Sequence, residues 1–494
     1  MAQQTRHLSD LGLTARTGGD VAVTGLALDS RKVERGTLFA ALPGTRVHGA
    51  EFIPYALRMG AGAILTDRAG AEIAAADLAG AKAALVVVED ARAALAHAAA
   101  LWFGAQPTTV VAVTGTNGKT SVASFTRQIW TLLGLEAVNI GTTGVEGAFA
   151  APGIHTTPEP LTLHRVLAEM AEAGVSHAAM EASSHGLDQR RMEAVGLAAC
   201  GFTNLTQDHL DYHGDMETYF EAKLRMFTEL LDEDGVAVVN LDDAYGRRVA
   251  EACDRREIEV IGVGQYAEDA SLKVTGRRLD ETGQDVLFRW QGQPVQTRLP
   301  LIGAFQAMNV LTAAGLVIAA GEDPDAVFSV LPRLTGVRGR MQLAGRRANG
   351  APVFVDYAHT PDALETALKA LRPHVLGRLI VVFGAGGDRD RGKRPLMGQA
   401  AAAHADVVFV TDDNPRSEVP AAIRAEILQG CPEAIEVGDR AEAILRGVDA
   451  LEPGDALLIA GKGHETGQTV GDVVYPFDDV EQASVAVAAL EGRA

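Results

Sequence analysis

The sequence predicts an α/β protein of three domains built around mainly parallel sheets. Three observations carry that expectation. From about residue 106 onward, short apolar runs of the kind buried on both faces alternate with helical segments. Four later runs each end in a polar or glycine-rich cluster, as strands do where an open α/β sheet meets its ligand. At 494 residues the chain has the length of about three ordinary domains.

Taken in order, the first block, residues 1–105, opens with short strand and turn signals, "VAVTGLALDSRKV" and "GTLFAAL". Two alanine-rich helical patterns follow, "AGAEIAAADLAGAKAAL" and "ARAALAHAAALWFG", before Gln106-Pro107 breaks the periodicity. The second block, residues 106–337, starts with the apolar strand "TTVVAV" and supplies three more strands in "SHAAMEASS", "AACGFTN" and "GVAVVN". The third, residues 338–494, carries "PVFVDYA", "RLIVVFGA", "DVVFVTDD" and "DALLIAGK", which end in "HTPD", "GGDRDRGKR", "NPRSE" and "GHE".

Composition narrows the function. A balance of 44 Lys+Arg against 64 Asp+Glu gives a net charge of −20, the wrong sign for a dedicated binder of nucleic acid or anionic membranes. Anionic ligands would need local basic pockets. Cys200, Cys253 and Cys431 lie far apart without CxxC spacing, which argues against a disulfide scaffold or cysteine zinc site and suits a reducing compartment. The N-terminus has no apolar signal segment, and no apolar run approaches the roughly 20 residues of a membrane span. A cytoplasmic protein without membrane insertion is expected.

The segment "TGTNGKTS", Thr114–Ser121, follows the strand "TTVVAV" and precedes the helical "SVASFTRQIWTLLG". Gly115, Thr116, Asn117, Gly118, Lys119, Thr120 and Ser121 would form a phosphate loop whose backbone N–H groups face the anion at a helix N-terminus. Lys119 would reach the β- and γ-phosphates of ATP, and the Thr120 hydroxyl would ligate Mg²⁺. Only two residues separate Gly115 from Gly118, against four in the usual pattern, so a glycine turn with a solvated lysine competes with this reading.

That shortened loop, with the motifs around it, resembles the Mur ligase family: ATP-dependent enzymes that build the peptidoglycan peptide. The resemblance runs nearly end to end. It implies a central P-loop ATPase-type parallel sheet, flanked by an N-terminal UDP-binding α/β domain and a C-terminal Rossmann-like α/β domain. It further implies that Glu181 in "MEASSHGLDQRR" and His209 in "TNLTQDHLDYHG" join Thr120 at Mg²⁺, an unusual place for a histidine. Lys223, in "YFEAK", is electrostatically wrong beside a cation. The resemblance implies that CO₂ converts it to an anionic carbamate, N6-carboxylysine, which supports the metal. Lys119, Glu181, His209 and Lys223 are thus the expected catalytic set.

By the same resemblance, Leu28, Ser30, Thr45, Arg46 and Val47 face the uridine diphosphate end of a UDP-MurNAc-dipeptide. Thr156, Thr157, Ser183, Gln189 and Arg191 hold its muramoyl-dipeptide end. Asn309, in "GAFQAMN", with Asp356 and His359, in "VDYAHTPDAL", would contribute to the adenosine side of ATP. Gln306, standing where the family commonly has asparagine, is left out of that set. The implied mechanism has a substrate carboxylate attack the γ-phosphate, giving an acyl-phosphate that an incoming amine then displaces.

"DDNPRSEVP" looks like the signature of the family branch that adds meso-diaminopimelate. That substrate has a second amino-carboxyl centre, so its recognition needs a cation and acceptors that lysine would leave unpaired. Arg389 and Arg416 are the candidate cations. Asp413, Asn414 and Pro415 are expected to bind diaminopimelate with them, the Asn-Pro turn stiffening the backbone, and Gly461 and Glu465 would meet the ammonium end. Arg391 and Lys393 read better as a solvated charge cluster. The alternatives are a lysine-adding ligase of the same family, a folylpolyglutamate synthetase, which should lack the first domain, and a non-catalytic nucleotide-binding protein. A monomer acting on small molecules is expected.

Overall fold

The computed structural model describes residues 5–44, 47–153, 155–280 and 282–492. Its internal contacts divide the chain into two compact units: residues 1–273 with 311–327, and residues 274–310 with 328–494.

The first unit holds a four-stranded parallel sheet and most of a larger, mainly parallel one, besides the antiparallel pair Arg6–His7 with Ala22–Val23. The smaller runs Leu26–Ala27, Leu38–Ala41, Ala63–Thr66, Ala84–Val87 in spatial as well as chain order. The alanine-rich stretch expected to be wholly helical forms two short helices, Arg68–Ile73 and Ala75–Leu78, and then turns into the strand Ala84–Val87. Alanine carries little strand preference, so burial between sheet and helix decides the outcome there. The second helical pattern is helix Ala91–Phe103, capped by Asp90 and closed by left-handed Gly104.

In the larger sheet, Thr109–Thr114 lies between His177–Glu181 and Ala199–Phe202, all parallel, with Ala137–Gly141 and Val236–Asn240 one position further out. Burial on both faces accounts for the unbroken Val/Ala runs. Register then positions chemistry. Glu181 pairs with Val113 and Phe202 with Thr114, so Gly115, Ala182 and Thr203 emerge side by side at the carboxyl edge. Behind them, helix Lys119–Leu132 buries Phe125, Ile129 and Trp130.

Helix Pro160–Glu172 buries His164, whose Nε2 lies 3.0 Å from the Glu193 carbonyl. Burial pushes this imidazole down to about 4 from its ordinary 6.5, with His97 adding to the shift and the Glu193 carbonyl opposing it. The unfolded chain therefore takes up the proton first. The stabilisation is fully present above pH 6.5 and is lost as pH falls toward 4, by about 3 kcal/mol. In equilibrium denaturation across that range, His164→Gln is expected to flatten this part of the slope. An identical slope in both proteins would refute the assignment.

In the second unit the sheet order is Gln342–Arg346, Pro352–Asp356, Ala456–Ala460, Leu379–Phe383, Val407–Val410, Ile435–Glu436, parallel except at the first edge. Asp356 pairs with Ala460, and Phe383 with Val410, so the four polar clusters of the sequence lie along one edge. Two further features have no counterpart in the sequence reading. An antiparallel pair, Gly283–Trp290 with Gln293–Leu299, packs near His374, which bridges Gly303 N–H and the Asp280 carbonyl. A hairpin, Gly467–Val470 with Val473–Pro476, covers the loop after Val407–Val410.

All three cysteines are buried and free. No helix among the described residues is long and apolar enough to cross a membrane.

Candidate active site

The phosphate loop is shaped by two left-handed glycines, Gly115 (φ 147°) and Gly118 (φ 89°), the latter capping helix Lys119–Leu132. A side chain at Gly115 would collide with Thr203 Oγ1. Thr203 and Asn204, which sequence reasoning did not single out, brace the loop. Thr203 Oγ1 donates to the Asn117 carbonyl at 2.6 Å, and Asn204 Oδ1 accepts from Asn117 N–H at 3.0 Å. Thr116 Oγ1 lies 3.2 Å from the Tyr219 hydroxyl.

Lys119 Nζ donates to the carbonyls of Gly115 (2.8 Å) and Thr116 (2.9 Å). Lys223 Nζ, fully buried, donates to that same Gly115 carbonyl at 2.9 Å and sits 4.6 Å from the centre of the Tyr219 ring. Two amines thus converge on one carbonyl. Burial first, and then the Lys119 charge, hold the Lys223 amine well below the usual lysine range, with Asp208 opposing. A lysine so placed favours its neutral, nucleophilic form.

Glu181 is 2% exposed, and among the described residues its oxygens accept only from neutral groups: Thr120 Oγ1 at 2.9 Å, Thr142 N–H at 2.9 Å and Thr142 Oγ1 at 3.3 Å. Gly141 makes room for it, since a Cβ there would occupy the position of Oε1. Among the described residues no Lys or Arg lies within ion-pair distance of this carboxylate. A buried, uncompensated carboxylate beside a threonine hydroxyl is a fitting donor set for a hard cation such as Mg²⁺.

His209, left-handed at φ 53° and half exposed, contacts Asp208 and the rings of His185 and Tyr219. These partners and those of Glu181 have no member in common. Among the described residues no three His, Cys, Asp or Glu side chains form a metal cluster. A set of one hydroxyl, one carboxylate, one imidazole and one modified lysine contains no such trio.

The dipeptide candidates do come together. Thr157 Oγ1 donates to the Glu181 carbonyl (2.9 Å), accepts from Ser183 N–H (2.9 Å) and lies 3.0 Å from Ser183 Oγ. Thr156 Oγ1 lies 3.0 Å from Thr142 Oγ1. Arg191 donates to the Thr157 carbonyl (2.7 Å) and to Gln189 Oε1 (2.8 Å). Its neighbour Arg190 pairs with Asp90, Glu193 and Glu229, whereas Arg191 has no carboxylate within ion-pair distance among the described residues. In the smaller sheet's loops, Leu28 is partly buried against the core and Ser30 starts a short helical turn capped by Asp29. Val47 is exposed, and Thr45 and Arg46 lie outside the described residues.

In the second unit, Asn309 Nδ2 donates to Gln306 Oε1 at 3.1 Å, so the residue set aside in the sequence is the partner of the one retained. Both Asp356 oxygens accept from backbone N–H groups, of Met341 and Ala358. His359 is exposed and its ring lies tilted against Tyr357, 4.5 Å between centres, while Lys393 donates to its carbonyl.

Arg389 and Arg416 flank Gly386: a Cβ there would meet Arg416 Nη1 at 2.9 Å and Arg389 Cγ at 3.6 Å. Arg416 Nη1 donates to the Gly387 carbonyl at 2.8 Å, and Arg389 reaches the Asp388 carbonyl at 3.3 Å. Neither has a carboxylate within ion-pair distance among the described residues. Four arginines around them do: Arg391 with Glu426, Arg394 with Glu418 and Glu426, Arg424 with Asp412 and Glu436, Arg440 with Asp479. Arg391 is thus in the paired cluster the sequence suggested.

Asp413, Asn414 and Pro415 are buried, and a side chain at Gly461 (φ 122°) would strike Asp413 Oδ2. Asn414 Nδ2 donates to Glu465 Oε2 at 2.8 Å. Burial raises the Glu465 carboxyl above its ordinary range, opposed chiefly by that amide.

Three domain models of one family match: the Mur ligase family catalytic domain over residues 22–103, the Mur ligase middle domain over 113–317 and the Mur ligase glutamate ligase domain over 339–463. The chain belongs to the Mur ligase family. It is 51% identical to the UDP-N-acetylmuramoyl-L-alanyl-D-glutamate–2,6-diaminopimelate ligase of Caulobacter vibrioides, with 99% of each chain covered. A solved structure of a protein of that same name matches at a TM-score of 0.72 and 33% identity, covering 99% of this chain and 100% of that one. A Mycobacterium tuberculosis folylpolyglutamate synthase shares the fold at a TM-score of 0.63 and 20% identity, over 81% of this chain and 95% of its own.

Proposed function

We propose that this protein is an ATP-dependent amide ligase that joins meso-2,6-diaminopimelate to the D-glutamate γ-carboxylate of UDP-MurNAc-L-Ala-D-Glu, a step of peptidoglycan precursor synthesis. The observation that carries the reading is the pair of carboxylate-less guanidiniums, Arg389 and Arg416, set beside two acceptors, the buried Asp413 and the half-buried Glu465. Such a constellation complements an amino acid with a second amino-carboxyl centre. The full-length likeness to ligases of that name agrees with it. The expected domain division at residues 1–105, 106–337 and 338–494 belongs to the same reading.

In mechanism, Arg191, anchored by Thr157 and Gln189, would orient a substrate carboxylate bidentately. That carboxylate attacks the γ-phosphate of ATP, forming an acyl-phosphate and releasing ADP. The loop N–H groups between Gly115 and Ser121 face the charge that develops, and Lys119 swings from its two carbonyls to the phosphates. Thr120 and Glu181, with His209 and Lys223 as a carbamate, would hold Mg²⁺, which when bound neutralises phosphate charge. The amine of diaminopimelate then attacks the acyl carbon and inorganic phosphate leaves. A reaction consuming ATP and a UDP-sugar belongs in the cytoplasm, where free cysteines are stable, and we take the protein to act as a monomer.

The test is phosphate release from ATP with Mg²⁺ and UDP-MurNAc-L-Ala-D-Glu, adding meso-diaminopimelate, L-lysine or no amino acid. Release should require diaminopimelate. Release with lysine alone would contradict the substrate assignment, and release in none would contradict the activity.

A further inference from the structure

The Asp413–Arg416 loop is held in a conformation its residues disfavour, and the means lies in a hairpin and a lysine outside it. Asn414 (φ 43°) and Arg416 (φ 50°) are both left-handed, a region that asparagine enters more readily than most residues but that is costly for arginine. Four hydrogen bonds from Gly467–Val470 and the turn after it offset that cost. Gln468 Oε1 accepts from Asn414 N–H (3.0 Å), and Thr469 N–H donates to Asn414 Oδ1 (2.9 Å). Arg416 N–H donates to the Thr469 carbonyl (3.1 Å), and Gly471 N–H donates to the Arg416 carbonyl (2.8 Å).

Beneath the loop, Lys462 is fully buried. Its Nζ donates to Asn414 Oδ1 (3.0 Å) and the Gly467 carbonyl (2.7 Å) and lies 3.3 Å from Asp413 Oδ1. An ammonium and a backbone N–H can only donate, so together they fix which end of the Asn414 amide is oxygen. The NH₂ end is left to face Glu465.

We propose that Lys462 and Gln468 are specificity-determining positioning residues: they lock the loop so that Asn414 orients the Glu465 carboxylate while the Arg416 guanidinium stays beside Arg389. The inference rests on the diamino-acid reading given above. Neither residue need touch substrate. Loosening the loop should weaken recognition of the second amino-carboxyl centre and leave the other substrates alone.

Because a fully buried lysine also matters to folding, the deciding variant is Gln468→Leu, on the half-exposed hairpin. Steady-state kinetics on the full-length protein would compare it with wild type, Gln468→Glu and Lys462→Met. In Gln468→Leu, KM for meso-diaminopimelate should rise about 10-fold, the scale of one lost hydrogen bond, and preference over L-lysine should fall with it. KM for ATP and for the nucleotide-peptide should be unchanged. Gln468→Glu keeps an acceptor and should restore most of the loss. Unchanged KM and selectivity in Gln468→Leu, in an enzyme whose wild type prefers diaminopimelate, would overturn the inference alone. A wild type that does not prefer diaminopimelate would overturn the functional reading and this inference with it.

Discussion

Replacing Lys223 by methionine should cut turnover by about 10² to 10³-fold while leaving the fold as stable or more so. The two halves of that expectation have one cause. Lys223 is buried, and its only hydrogen-bond acceptor among the described residues is a carbonyl already shared with Lys119. As an ammonium it would be a poorly compensated charge next to another cation, so an apolar side chain of similar length should be tolerated. As a carbamate beside a metal it would be anionic, and methionine cannot replace that. Activity of the wild type should also fall in CO₂-depleted buffer and return with bicarbonate, whereas the methionine variant should not respond. A variant that keeps more than a tenth of wild-type kcat, or that melts well below it, would mean that Lys223 is structural.

The second large effect is expected at Arg416. Truncation to alanine should lower kcat/KM for meso-diaminopimelate by about 10²-fold or more, the scale of losing a charge-assisted contact to a carboxylate. Lysine at this position should recover only part of it, because a point charge lacks the planar fork. The backbone explains why this is a clean test. Arg416 N–H and carbonyl are both held by the Thr469–Gly471 segment, so removing the side chain leaves the loop pinned. Selectivity should shift toward L-lysine, which has no second carboxylate to lose. An alanine variant with unchanged kcat/KM for diaminopimelate would remove Arg416 from recognition.

Much of this was legible in the sequence where physics leaves a local mark. Strands buried on both faces read as unbroken apolar runs, and those in the second and third blocks are strands in the structure, from His177–Glu181 to Ala456–Ala460. Strand ends bearing polar clusters fall on one sheet edge because parallel pairing keeps the ends in register. Other elements left no such mark. Gly283–Trp290 and Gln293–Leu299 place charged residues on an exposed face, and Ala84–Val87 hides in an alanine-rich segment. The hairpin does carry a signal in the sequence, Gly471-Asp472 between β-branched residues. Lys462, Arg394 and Arg440 could not be singled out, since a lone charged residue looks the same in sequence whether solvated or fully buried and paired. Thr203 and Asn204 act through loop geometry that exists only after folding.

Selectivity for diaminopimelate shows most plainly when the enzyme is made to choose. With ATP, Mg²⁺ and UDP-MurNAc-L-Ala-D-Glu, an equimolar mixture of meso-diaminopimelate and L-lysine would be supplied and the product identified by mass. The arrangement of Arg389, Arg416, Asn414 and Glu465 predicts the diaminopimelate tripeptide as the dominant product, with ADP and phosphate formed in equal amount. A predominance of the lysine tripeptide would mean that these residues do not select diaminopimelate.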